Sequence, residues 1–305
     1  MQRFIVHRFL QGILVVIAVM LIVFTLSRLT GDPVYLILGD EAYTEDIEAL
    51  RERLGLDKPL IVQLGVWMGN LVQGDAGTSI KYKEPVFTLF FRALPNTMKL
   101  AGVSVVIALV AAIPLGVIAA VKRGTFIDSA AAGVAVFGLA TPNFWIALVL
   151  MFIFSVQLGW LPVARMGGPS HYVLPAIALG TALMAGVMRL VRSSMLEVLD
   201  SEYVKLARIK GLSEGAVYWR HCLRNALIPV LTLTGLMMAG LVSGALVTET
   251  VFAWPGVGRL TYDAVRFRDY ELLQASIVIQ VMFVVFVNLI VDVLYAVVDP
   301  RIRYT

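Results

Sequence analysis

An all-α membrane protein of six transmembrane helices, with a small external helical cap, is what this sequence predicts. Three observations predict it. The 305-residue chain is 59% hydrophobic and only 15% charged, whereas a soluble domain carries about 25% charge. Its mean hydropathy is +0.84, the composition of a chain that lives in a bilayer. Six apolar stretches are long enough to cross ~30 Å of hydrocarbon. They are Phe9–Leu29, Thr97–Val121, Ala130–Leu158, Val173–Leu196, Leu227–Val251 and Ala275–Val298. In lipid the backbone must satisfy its own hydrogen bonds, so these stretches are helices; barrel strands are shorter and alternate.

The first stretch comes after a basic segment, Met1 to Arg8, as a signal peptide would. Its apolar core is longer than a signal core and no Ala-x-Ala site comes after it, so residues 1–29 read as a retained spanning helix. Residues 30–96 are far too long for a plain connection. There Thr44 reads as an N-cap, with Glu45 and Asp46 in the first turn, Ile47, Leu50 and Leu54 as an apolar stripe, and Gly55 as the stop. Pro59 opens a second helix striped by Leu60, Leu64, Trp67, Met68 and Leu71, with Gly74 after it. These two helices form the expected cap.

The remaining spans make up 97–298, a five-helix core with a cytoplasmic loop at 197–226, and a tail at 299–305 completes the chain. Pro142 sits in the middle of the third span and is expected to kink it. Such a kink either lines a transport path or simply serves packing. Glu249 closes the fifth span at its external end, where water is expected to reach it. Trp254-Pro255-Gly256 forces a turn, and Trp254 suits the aromatic belt of the membrane interface. Gly256 and Gly258 lack the third glycine and the preceding strand of a nucleotide loop.

Lys and Arg in short loops set orientation. One side holds Arg3, Arg8, Lys122, Arg123, Arg189, Arg192, the basic residues between Lys205 and Arg224, Arg301 and Arg303. The other holds Arg165, Arg259, Arg266 and Arg268. Both termini and the 197–226 loop are therefore expected in the cytoplasm of a multi-pass inner-membrane protein.

Several chemistries are excluded. A net charge of +4, spread between apolar spans, does not suit nucleic acid. Lone Cys222 rules out an internal disulfide and any multi-cysteine metal or redox centre. Gly-Lys never occurs, so there is no Walker loop; there is no H-E-x-x-H, and His7, His171 and His221 are far apart. No catalytic residue, bound cofactor or metal site is expected, and the chain is not read as an enzyme. Active transport must draw on a partner or an ion gradient. An ion-driven carrier needs an ionisable group in the membrane. Asp292 is the best candidate, as a coupling residue or as a structural charge paired with Arg189 or Arg192.

The loop 197–226 is the best place for a motor to push. Tyr203, Leu206, Ile209, Leu212, Val217 and Trp219 supply more apolar surface than a solvated loop needs. Tyr203, Leu206, Ala207 and Lys210 share a helix face by spacing. Ala207 and Gly211, four apart, are expected to leave one side flat for docking. A structured loop between two spans passes a rigid-body motion into both.

The stretch YVKLARIKGLSEGAVYWRHCLRNALIPVLT resembles the coupling-loop signature of permease subunits of binding-protein-dependent ABC importers, in the dipeptide, oligopeptide and nickel branch. The matching positions are Tyr203, Val204, Ala207, Arg208, Lys210, Gly211 and Leu212, then His221, Leu223, Arg224, Asn225 and Ala226. Where the wider superfamily has Glu-Ala-Ala, this chain has Lys205, Leu206 and Ala207. Gly31–Pro33, Leu54–Leu60, Leu158–Pro162, His171–Gly180, Val251–Leu260 and Asp299–Tyr304 are similar to the same family in order, with the tail and HYVLP nearest to glutathione- and dipeptide-type importers. The resemblance implies a type I ABC importer permease-like fold and a second homologous permease. It also implies two cytoplasmic ATPase subunits that hold ATP and Mg²⁺, and an extracytoplasmic substrate-binding protein. The substrate path would run between the two permeases, near Pro142, Glu249, Trp254, Pro255 and Gly256.

Overall fold

The computed structural model describes residues 2–29, 34, 38, 43–53 and 55–298. The expectations resting on Gly31–Pro33, Leu54 and the 299–305 tail lie outside the described residues. All regular elements among the described residues are helical apart from one isolated bridge between Thr78 and Pro85. Among the described residues four helices are long and apolar enough to cross a membrane, five if a bent pair is taken as one span. The fifth expected span, Leu227–Val251, lies in a further 29-residue helix, Leu223–Val251, some of whose side chains are outside the described residues. By contacts the chain forms two compact units, residues 1–97 with 255–305, and residues 98–254.

In the first unit, α1 (Gln2–Leu29) packs along α11 (Tyr270–Val298). The two helices of the 30–96 segment are α2 (Thr44–Arg53) and α3 (Leu60–Val72). Thr44 is already helical, and the amides of Asp46 and Ile47 donate to the carbonyl of Tyr43, one residue earlier than expected. α3 lays Trp67, with Leu64, Met68 and Leu71, on Met20, Phe24 and Val278. Leu60 departs from the expected stripe and stays exposed, because it starts the helix beyond the reach of that cluster.

Loop residues 75–85 are pinned by Asp269. Its carboxylate accepts from Ser79 Oγ at 2.5 Å and the Lys81 amide at 3.1 Å, and also caps the start of α11 through the Leu272 amide at 3.3 Å. Beside it, Tyr82 donates its hydroxyl to Asp263 at 3.0 Å in α10 (Val257–Arg266). Burial first, then that carboxylate, pushes the Tyr82 phenol up to about 12.

α4 (Val86–Val121) is 36 residues in one helix. At 1.5 Å per residue it runs roughly 54 Å, so its early turns project beyond a hydrocarbon layer of ~30 Å. Residues 86–97 belong to the first unit and the rest to the second.

In the second unit, α7 (Ser170–Leu199) is the central helix. It packs against α5 (Phe126–Ala140), α6 (Asn143–Leu150, continuing as a π-wound turn over Met151–Gln157) and α9 (Leu223–Val251). Small residues set the α4–α7 approach. A Cβ on Gly180 would lie 2.9 Å from the Ser104 carbonyl oxygen, and one on Gly116 2.7 Å from that of Met188. In lipid, where apolar side chains gain little by leaving the solvent, such close backbone contact is a main source of helix association. Gly180→Leu is therefore expected to cut the yield and thermal stability of detergent-purified protein sharply. Gly102→Leu, on α4 with nothing within 4 Å, serves as the control; equal stability of the two would refute this packing account.

The third expected span is broken, not merely kinked. α5 and α6 are bent by 108° across Thr141 and Pro142. The ring of a proline drives the preceding residue out of the helical region. Thr141 accordingly sits at φ −89°, ψ 129°, and Pro142 becomes the residue before the first turn of α6.

Candidate functional site

The connection between α7 and α9 is fully folded. After α7 the chain turns at Ser201, whose hydroxyl donates to the Val198 carbonyl at 2.5 Å and whose carbonyl accepts from the amides of Val204 and Lys205. Next comes α8, Glu202–Ile209. It ends because Gly211 adopts φ +77°, a left-handed turn that lets its amide reach Arg208 O and the Leu212 amide reach Ala207 O. This pattern closes many helices. Ser213 then opens a new turn, its hydroxyl accepting from the Ala216 amide at 3.4 Å. From Glu214 the chain is helical through a π-wound segment, Val217–Cys222, into α9.

Two side-chain links tie α8 to the helical segment beyond Ser213. Asn225 Nδ2 donates to the Tyr203 hydroxyl at 2.8 Å. Arg208 Nε donates to Glu214 at 3.0 Å. The Tyr218 hydroxyl and then the Arg208 guanidinium hold the Glu214 carboxyl below its ordinary range. Burial pushes the Cys222 thiol up, in keeping with an inert packing residue.

The inner face of α8 differs from the face that spacing suggested. Val204 is fully buried and Ala207 only 8% exposed; both join Val217, Cys222, Ala226 and Met195 in the main core of this unit. Ala207 is thus a packing residue that lets α8 lie close on its own bundle. It is not part of a flat outward face, and Gly211 lies past the helix end. The outward face carries Leu206 (57% exposed) and Ile209 (80% exposed), with Tyr203, Leu212 and Trp219 also exposed. Lys210, Arg224 and Asn225 are exposed and His221 is half-buried. The result is a rigid apolar knob with basic residues around it. Sequence reasoning named Val204 and Val217 without their inward packing, and missed the Arg208–Glu214 pair. The three-residue spacing of Val204 and Ala207 was the available signal.

Away from this loop, the expected pairing of Asp292 with Arg189 or Arg192 rests on a side chain outside the described residues. Arg192 grips Asp128 of α5, through Nε at 2.6 Å and a terminal amine at 2.9 Å, and the Gly124 amide donates to the same carboxylate at 3.0 Å.

The expected external residues separate. Glu249 has no exposed surface, contrary to the watery position expected at the helix end. The carbonyl of Glu249 accepts from the Trp254 amide at 2.8 Å, folding the chain back so that the helix end is covered. Trp254 is likewise buried, edge-on to Tyr172 with ring centroids 4.6 Å apart, and does not sit in an interface belt. Pro142 is exposed, and just after it Ile146 and Ala147 pack with Leu174, Ala178 and Phe252. The boundary between the two units falls between Trp254 and Pro255. On the other side of it, Pro255 is exposed and its carbonyl accepts from Asn96 at 2.9 Å. Gly256 precedes the first turn of α10. They border a cavity of about 260 Å³ lined by Tyr82, Arg92, Asn96, Arg259 and Asp263.

A bundle of apolar helices around a close-packed central helix, with a folded apolar knob on one connection, is the architecture of a membrane-embedded helical protein. Residues 112–304 match the family described as binding-protein-dependent transport system inner membrane component, and residues 1–101 match its N-terminal companion. The chain belongs to this family. It is 42% identical over 316 residues to the oligopeptide transport system permease protein of Bacillus subtilis, covering all of both chains. It is 37% identical to the dipeptide transport system permease protein of Alkalihalophilus pseudofirmus and 41% identical to the glutathione transport system permease protein of Escherichia coli, again over full lengths. Its fold is shared with a methionine ABC transporter in inward-facing conformations, at a TM-score of 0.58 and 18% identity, over 70% of this chain and 97% of that one. An amino acid ABC transporter matches at a TM-score of 0.51 and 17% identity, over 68% and 93%. The family match supports an all-α, multi-pass permease and gives no support to a gradient-driven carrier.

Proposed function

We propose that this chain is the pore-forming permease subunit of an ATP-driven importer of di- or oligopeptides, or of a similar small peptide such as glutathione. The observation that carries the reading is full-length identity of 37–42% to permeases named for those three cargoes. The substrate class rests on the cargoes for which these relatives are named. The coupling role rests on this chain's own knob, which is folded, anchored at both ends and apolar on its exposed face. In this reading the chain holds no nucleotide or metal itself. Two cytoplasmic ATPases grip the 197–226 knob of this chain and of a second homologous permease, and a binding protein delivers cargo from outside. Tyr203, Leu206, Lys210, Leu212, His221, Arg224 and Asn225 shape the coupling surface, while Ala207, Arg208 and Gly211 hold it in form. Pro142, Pro255 and Gly256 lie nearer the cargo path, and both termini are cytoplasmic. Closure of the ATPases shifts the pair between inward- and outward-open states only through their differential affinity for the two.

The test is reconstitution of the full complex in vesicles with a labelled dipeptide or glutathione. Uptake should need ATP on the ATPase side and the binding protein on the other, and should survive an ionophore. Uptake that an ionophore abolishes, with ATP present, would overturn the proposal.

A further inference from the structure

We propose that the region between α1, α3 and the start of α11 binds the headgroup of a zwitterionic phospholipid, with α3 itself lying in the leaflet where α1 ends. The site is a cavity of about 170 Å³, lined by Arg28, Lys58, Gln63, Trp67, Asp75 and Glu271 among others. One water needs roughly 15 Å³ of such space, so the cavity takes something larger.

The first observation is a pair of orphaned polar atoms. Trp67 is 8% exposed, yet its indole N–H has no hydrogen-bond partner among the described residues; nor has Gln63 Oε1. Buried polar atoms are rarely left unpaired. The orientation of Gln63 is fixed, because its Nε2 donates to the carbonyls of Leu56 at 3.2 Å and Lys58 at 2.8 Å. Flipping the amide would set oxygen against oxygen. Four residues apart, Gln63 and Trp67 stand on one face of α3 and offer one acceptor and one donor to the cavity. The Trp67 ring is itself held against Phe24, centroids 6.0 Å apart, and the Arg28 guanidinium lies 5.2 Å over Phe24.

The second observation is charge of both signs. Arg28 and Lys58 suit a phosphate; Glu271 and Asp75 suit an ammonium. The third is depth. Arg28 lies one residue from the end of α1 and Glu271 one residue into α11, both read as spans, so the cavity opens at headgroup level.

The fourth is α3 itself. Its sequence, LIVQLGVWMGNLV, carries no charge, and Ile61, Val62, Val66 and Val72 remain exposed after Trp67, Leu64, Met68 and Leu71 have packed. A helix that is apolar on its outward side is at home among acyl chains. On α1, Leu21, Ile22 and Leu26 are exposed as well. Helix and cavity together match a molecule with a zwitterionic head and apolar tails.

The test uses full-length protein purified in mild detergent, re-lipidated with phosphatidylethanolamine or phosphatidylglycerol, and washed. Retained lipid is counted by mass spectrometry. The wild type should retain phosphatidylethanolamine. Trp67→Phe, which keeps the ring and removes the donor, should lower retention about ten-fold, as should Gln63→Leu. Phosphatidylglycerol should be held weakly and alike by all three. Brominated phosphatidylethanolamine should quench more tryptophan fluorescence in the wild type than in Trp67→Phe, which reads occupancy without relying on Gln63→Leu. Equal retention across variants, or equal retention of the two lipids by the wild type, would overturn the proposal. So would full displacement of the lipid by soluble glycerophosphoethanolamine or by a dipeptide, which would mark a soluble ligand's site.

Discussion

Replacing Leu206 and Ile209 together by glutamate is expected to abolish uptake while the permease stays folded. Both side chains point away from their own bundle, 57% and 80% exposed, so their replacement removes little packing. The same change places two charges on the apolar centre of the surface that the ATPase is proposed to grip. An anchor at the centre of an interface is typically worth 2 kcal/mol or more, about 30-fold in affinity, and here two are lost. Retention of the ATPase on an affinity-tagged permease should fall below detection, with the melting temperature of the isolated permease unchanged. Wild-type retention and wild-type uptake would sink the coupling role of the knob. Ala207→Arg makes the contrasting case. Ala207 packs beside Val204 and Val217 in the core, so a guanidinium there must break the α8 seat, and yield and melting temperature should fall together.

That contrast shows what the sequence could and could not reveal. The apolar spans were legible because length and hydropathy answer to one constraint, the thickness of a bilayer. The connection between α7 and α9 was legible as structured, because its apolar content exceeds what a solvated loop tolerates. Which face of α8 turns inward was not legible. Both faces carry apolar residues, Val204 with Ala207 on one and Leu206 with Ile209 on the other, and helical spacing ranks neither. The decision comes from Val217 and Cys222, which arrive from the far side of a left-handed turn at Gly211. Trp254 misled for a related reason. A tryptophan near a span end fits the interface on average, but this one has Tyr172, far earlier in the chain, waiting to pack against it. Pro142 announced a kink and not the 108° break, at which α6 packs with Leu174, Ala178 and Phe252.

The Asp128–Arg192 pair was equally invisible to sequence, its members being 64 residues apart, and it carries the second large expected effect. The Asp128 carboxylate is almost buried and accepts three hydrogen bonds, two from Arg192 and one from the Gly124 amide. Arg192 is a third exposed, so solvent weakens the pair below a fully buried one. Breaking a fully buried pair from one side is strongly destabilising; here Asp128→Ala is expected to lower the melting temperature clearly but by less. Arg192→Ala should cost a similar amount, because each leaves a charge without its partner near lipid. The double replacement should cost much less than the sum, and that non-additivity is the signature of direct contact. Swapping the charges, Asp128→Arg with Arg192→Asp, should restore only part of the stability, because the Gly124 amide then loses its acceptor. Melting temperatures of the five proteins in one detergent measure all of this. Simple additivity of the two alanine variants would show that the link between α5 and α7 is not held by this pair. The first half of the broken span would then owe its position to small-residue packing, that of Ala135 in the core and of Gly138 against Thr181 and Ala185.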